Sequence, residues 1–414
     1  MESRINRRML FKNLVSKVKM GTEEAFQSGI SMLNDILNSN LENYKGLPEN
    51  YMNILLKSIE ERHNFKNYNI NYSNTLVKST LRLDAKLLPS SRWNHLMFLC
   101  INSGLFKVAN IARTKAIQSA YQALGNTKND ETLIQSFKLY IDQGDLDNAN
   151  NTLLSLKKSS LEKSFLNRME IFYSILNGDK KRTNKLSKTH FSEQDQAFFN
   201  YVNGKSVAIV GPAPVEEDLS DEINSFDIVV RFNYTGDNHL PSKGFGNRTD
   251  VSYYNAFKAK KLSKLDNTDF FDELDFMCFK TIMYSFQNKL KSAHKGRVIR
   301  SPKQFLLNGS PNQLPNALFD ILHFNPKFVK VFHNNLYLSN TPHYNGYHEQ
   351  RKENRRLWFS FAVHEFVTQF NFLKNLWEMK QFTADKTLES VLNLTPEKYV
   401  ELMEEIYVDP YLDK

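Results

Sequence analysis

The rhythm of apolar and polar positions changes once along this chain. Up to about residue 200, apolar residues recur at three- and four-residue spacing, as in Leu133, Ile134, Phe137, Leu139 and Ile141. That is the period of amphipathic helices. Three stretches echo one another: 102–109 around Gly104, 142–149 around Gly144, and 176–181 around Gly178. Each sets a Gly where one helical pattern ends and another opens, which predicts helical hairpins. Gly144 and Gly178 are 34 residues apart, a tetratricopeptide-like period, but Gly104 and Gly144 are 40 apart. The likeness to that repeat is therefore loose. Such an array offers a concave surface for a partner or a polymer end, or simply supports a neighbouring domain.

Near Gly204 the pattern shifts. Ser206–Val210, Ile228–Phe232 and Phe328–Phe332 are short apolar runs with β-branched residues, and a helical stretch from Leu314 to Phe324 precedes the last. These predict buried strands. Residues 201–414 therefore predict an α/β domain, a mostly parallel sheet with flanking helices of Rossmann-like type. An all-α helical-hairpin domain over 1–200 precedes it. Ligands of such sheets lie beyond the carboxyl ends of the strands, so the residues just after each strand carry the candidate chemistry.

Composition narrows the partners. The 414 residues carry 54 Lys and Arg against 45 Asp and Glu, a net charge of +9. This favours anionic partners. The cations are spread out and form no recognisable nucleic-acid module, so no nucleic acid is expected. Two cysteines, Cys100 and Cys278, make neither a disulfide framework nor a zinc cluster. They point to a reducing, cytoplasmic setting. No secretory signal or membrane-spanning run is visible. The first twenty residues interleave Arg4, Arg7, Arg8, Lys12, Lys17 and Lys19 with apolar residues. That pattern suits an ordinary docking helix or one lying peripherally on an anionic membrane. Asp145 and Asp147 formally make an Asp-x-Asp metal motif, but their place after Gly144 predicts helix capping.

Four segments of the second half stand out. The first strand ends in Gly211-Pro212-Ala213-Pro214, the second in Arg231-Phe232-Asn233, and Gly246-Asn247-Arg248-Thr249-Asp250 follows. Asn308 to Leu338 holds a small polar loop, Gly309-Ser310-Pro311-Asn312, then a helix and a strand. His343-Tyr344 and His364-Glu365-x-x-x-Gln369 come next. Glycine lets backbone approach a ligand closely, and asparagine offers both a donor and an acceptor. Arg231 is expected to be a scaffold residue paired with Asp227 or Asp250. A helix start suits an anion. A histidine is suited to take a proton at neutral pH.

In order and spacing, these segments resemble the sialylmotifs of the sialyltransferases of glycosyltransferase family 29. Ile223-Asn224-Ser225-Phe226-Asp227, Arg231-Phe232-Asn233 and Gly246–Asp250 match the large motif, and Asn308–Leu338 the small one. His343-Tyr344 and His364-Glu365 match the third and last motifs. The resemblance implies a GT-A-variant fold and a CMP-activated donor, sialic acid first and Kdo second. It implies transfer to a glycan acceptor in bacterial surface polysaccharide synthesis, with inversion and with no metal or other cofactor. It makes His364 the general base and His343 a stabiliser of the departing phosphate. Gly211, Pro212, Ala213, Asn233, Gly309, Ser310, Asn312 and Tyr344 become nucleotide-site residues. The chain departs from the family in its Gly-Pro-Ala-Pro turn and in Gln369, where the family has Glu. Those departures keep open a non-catalytic helical scaffold with a degenerate transferase domain.

Overall fold

The computed structural model describes residues 81–408 apart from 82–83, 103, 125–128, 215–216, 237–242, 265–268, 281–294, 342, 345–346 and 348–354. The basic N-terminal segment lies outside the described residues. Helices α1 Ser90–Asn102, α2 Phe106–Leu124, α3 Asp130–Asp142, α4 Leu146–Leu156, α5 Lys163–Leu176, α6 Lys180–Lys188 and α7 Glu193–Val202 come first. Strands β1 Ser206–Val210, β2 Ile228–Phe232, β3 Val251–Tyr254, β4 Phe276–Phe279, β5 Gly296–Val298, β6 Phe328–Phe332 and β7 Thr383–Ala384 follow. They alternate with α8 Ser220–Asn224, α9 Ala256–Leu262, α10 Gln313–Leu322, α11 Arg355–His364 and α12 Phe366–Glu378. Helices α13 Lys386–Leu392 and α14 Pro396–Tyr407 close the described chain.

The echoing glycines end their helices by one device. Gly104, Gly144 and Gly178 all have φ of +73°, a left-handed conformation that Gly adopts without a Cβ penalty. The residue after each donates back across the helix end: Leu105 to Cys100, Asp145 to Tyr140 and Asp179 to Ser174, at 2.8–2.9 Å. This is the Schellman closure. Asp145 and Asp179 then cap the next helix, accepting from the Asn148 and Arg182 amides. The Asp-x-Asp string thus opens α4 as an N-cap.

The chain forms two compact units. Of the described residues, one unit takes those between 81 and 124, 355–363 and 397–408. Its core holds Trp93, Phe106, Trp358, Phe361 and Tyr407, all buried. Phe106 meets the Trp358 and Phe361 rings edge-on, and the Trp358 indole donates to the Tyr407 carbonyl. A Cβ on Gly104 would come within 2.7 Å of the Trp358 ring.

The other unit comprises 129–352 and 364–396, and so joins α3–α7 with the sheet. All pairings of the seven strands are parallel, in the order β5-β4-β3-β2-β1-β6-β7. The three predicted strands occur at their predicted bounds as β1, β2 and β6. Every residue of β1, β2 and β3 is buried, as a sheet covered on both faces requires. Strand order reverses between β1 and β6, which places a topological switch point at their carboxyl ends. A fully buried Arg297 on β5 is held by Asp320 of α10 and Asp195 of α7. The Tyr253 hydroxyl of β3 also donates to Asp320. Buried charges persist only when paired in this way.

Candidate functional site at the sheet's carboxyl edge

The segments after β1, β2 and β6 meet at the switch point. Gly211 donates to the Phe332 carbonyl at 2.8 Å, and Ala213 to the His333 carbonyl at 2.9 Å. A Cβ on Gly211 would lie 2.3 Å from that same His333 carbonyl. Glycine is therefore required there by the end of β6. Pro212 accepts from the Tyr344 amide. Gly211, Pro212, Asn233 and Tyr344 line an open cleft together with Arg231, Lys258 and Tyr347. The cleft holds about 520 Å³, much of it open to solvent. Ala213 is buried behind the turn.

Asn233 is the node of this cleft. It follows β2 with φ of +56°, a region asparagine tolerates better than most residues. Its amide makes a reciprocal pair with Gln313, at 3.0 and 3.2 Å. It also donates to the Tyr347 hydroxyl and accepts from the Asn255 amide. An amide side chain has two donors and two acceptor sites, so protein groups fill its capacity. A ligand contact by the Asn233 side chain requires one of these bonds to open.

His343 stacks on Tyr347 at 5.1 Å, with Tyr337 edge-on at 6.1 Å. Tyr344 meets Phe245 and Tyr347 edge-on. Burial pushes the Tyr344 and Tyr347 phenols above their ordinary range. Arg231 is buried and donates to the carbonyls of Phe245, Gly246 and Arg248 and to the Thr249 hydroxyl. Its expected partners are otherwise engaged. Asp227 binds the Ser206 amide and hydroxyl, and Asp250 takes Arg248 and the Val229 amide.

A second group gathers around His364. His364 stands at a break between two helices. His364 ends α11, and Glu365, with φ of +39°, caps α12 through the Val367 and Thr368 amides. Nδ1 of His364 lies 2.5 Å from the Ser310 carbonyl. A carbonyl only accepts, so Nδ1 carries the hydrogen and Nε2 keeps a lone pair. Burial lowers the His364 pKa; the bond to Ser310 opposes this, and Lys280 lowers it further. Lys280, just past β4, donates to the Pro311 carbonyl.

The loop before α10 is fitted to this histidine. Gly309 has φ of +72°, and a Cβ there would lie 2.5 Å from the His364 carbonyl. Gln369 bridges the two sides: its oxygen accepts from the Asn312 amide and its nitrogen donates to the His364 carbonyl, at 2.9 and 2.7 Å. A carboxylate could do only the first. His364 is not among the residues lining the cleft. The two groups join through consecutive residues, Asn312 held by Gln369 and Gln313 by Asn233.

His333 escaped the sequence reading although it directly follows β6. It is buried, stacks on Phe245 at 4.0 Å, and donates through Nε2 to the Gly244 carbonyl. Burial holds its pKa down at about 4. Gln313, Tyr347, Lys258 and Lys280 were also missed. Lys280 sits just after a strand, where site residues are expected. Lys258 is placed by a helix that Asn255 caps, a signal legible in the sequence.

Among the described residues, no three His, Cys, Asp or Glu side chains gather where they could hold a metal ion. No family model matches this chain, and no curated protein matches it either.

Proposed function

We propose that this chain is an inverting, metal-independent glycosyltransferase of the sialyltransferase type. It moves a CMP-activated ulosonic acid, sialic acid first and Kdo second, onto a glycan hydroxyl in surface polysaccharide synthesis. The sheet is then a GT-A-variant sialyltransferase fold, working in the cytoplasm or at the inner membrane face. The observation that carries this is the node at Asn233. The segments resembling the large, small and third sialylmotifs touch there, through Asn233, Gln313 and Tyr347, at the sheet's switch point.

In the proposed reaction, Nε2 of His364 takes the proton of the acceptor hydroxyl. The hydroxyl oxygen bonds to the anomeric carbon as the bond from that carbon to the CMP phosphate oxygen breaks. The phosphate leaves with the electron pair. Lys258 and His343 would neutralise its charge, and the loop 309–312 would position the donor, so most of the effect is electrostatic and positional.

The test is donor hydrolysis and transfer with CMP-sialic acid and CMP-Kdo, with and without EDTA. Turnover of either donor in EDTA is the expected result. Loss of activity in EDTA would remove the metal-free mechanism, and no turnover of any CMP-sugar would remove the enzyme. The saturated Asn233 amide favours one second reading, a non-catalytic scaffold. CMP binding by calorimetry without turnover would select it.

A further inference from the structure

Helix α9 leaves β3 at the same sheet edge and is fixed at both its cap and its base. Asn255 caps it through the Lys258 amide at 2.7 Å, and the Asn255 amide itself donates to Asn233. Ala259 and Leu262 are buried in a cluster with Tyr234, Tyr254, Phe271 and Phe279. The opposite face carries Phe257, 80% exposed, with exposed Lys260 and Lys261, and exposed Lys264 lies in the turn just past the helix end. Phe257, Lys260 and Lys261 stand at i, i+3 and i+4 on one helix face, and α9 contains no acidic residue. Lys258, next to Phe257, lines the cleft, so the cationic aromatic face is continuous with its rim.

We infer that this face is a binding subsite for an acidic glycan, the acceptor of the proposed reaction, whose sugar ring lies on Phe257. An aromatic ring offers an apolar plate to the carbon face of a sugar. The lysines attract its carboxylates or phosphates. The fixed helix base holds the Phe257 backbone in place, so the ordering lost on binding is that of side chains alone. The inference rests on the transferase proposal for the word acceptor, but the surface can be judged without it.

The experiment compares the full chain with Phe257→Ala and with a Lys260→Ala/Lys264→Ala double variant. Oligosialic acid is the probe in calorimetry at low and high salt, and a neutral dextran oligosaccharide is the control. The same variants are assayed for donor hydrolysis in water and for transfer. The expected result is probe affinity weakened about tenfold or more, the scale of one lost stacking contact. The acceptor KM should rise to match while donor hydrolysis is unchanged. Probe affinity and KM unchanged in both variants would overturn the inference. So would loss of binding to phosphatidylglycerol vesicles with probe affinity intact, which would make the face a membrane contact. If no donor is turned over by the wild type, the transferase proposal fails, and the calorimetry alone still decides the surface.

Discussion

Asn233 and Gln313 face one another as a reciprocal amide pair, each donating to the other's oxygen at 3.0 and 3.2 Å. The pair ties the end of β2 to the head of α10 and leaves neither amide spare at that contact. Asn233→Ala should take the donor from the Gln313 side-chain oxygen and one partner each from the Tyr347 hydroxyl and the Asn255 amide, while the Gln313 nitrogen keeps the Tyr253 carbonyl. Each buried unsatisfied group costs about 1–3 kcal/mol, so chemical denaturation should show a drop on that scale. CMP affinity by calorimetry should fall with it. Unchanged stability would mean that water replaces the lost partner at no cost.

Gln369→Glu restores the residue expected from the family resemblance, and it should harm this protein. The new carboxylate keeps the bond from the Asn312 amide but faces the His364 carbonyl with an acceptor. A loss on the order of 1–3 kcal/mol follows from the unmatched pair, together with reduced turnover. Denaturant midpoints for Gln369→Glu and Gln369→Ala, measured side by side, separate the repulsion from the simple loss of the bridge.

His364→Ala should lower transfer by about 10²–10⁴-fold, the ordinary worth of a general base, with the circular dichroism spectrum unchanged. The base must be neutral to act. Because burial and Lys280 lower its pKa, the acid limb of the pH–rate profile should fall below the ordinary histidine value of about 6.5. An acid limb above that value would speak against His364 as the titrating group.

Gly211→Ala and Gly309→Ala should both destabilise, for different reasons. At Gly211 the obstacle is steric alone, the His333 carbonyl 2.3 Å from the new Cβ. At Gly309 a clash with the His364 carbonyl adds to a left-handed backbone. Overpacking of this kind typically costs about 1–3 kcal/mol. Thermal unfolding should rank Gly309→Ala at least as low as Gly211→Ala, because strain adds to the clash.

Acid should destabilise this fold through His333 and through His323, the buried residue that closes α10. Burial lowers both to about 4 in the folded state, against about 6.5 unfolded. Between those values the unfolded chain binds more protons, so stability falls as pH drops from about 6.5 toward 4 and is intact above that window. Each group contributes on the order of 3 kcal/mol to the loss. Denaturation across that range, with His333→Asn as a comparison, should show a shallower slope in the variant.

The sequence by itself determined what depends on near neighbours. The runs 206–210, 228–232 and 328–332 are strands because short apolar stretches rich in β-branched residues stand there. Gly104, Gly144 and Gly178 end helices because left-handed closure and the following cap involve residues only a few positions apart. The same locality explains what was illegible. Strands β5 and β7 have three and two residues, too few to show a period, and parallel partners alone define them. Nothing in the spacing around Glu365 shows the left-handed backbone that breaks the helix there and lets it cap α12. Tertiary structure alone decided the site. Asn233 meets Gln313 across 80 residues, and Gln369 joins Asn312 to His364 across 57 and 5. Hydrogen-bond partners so far apart leave no spacing to read, because the parallel sheet brings their strand ends and loops together.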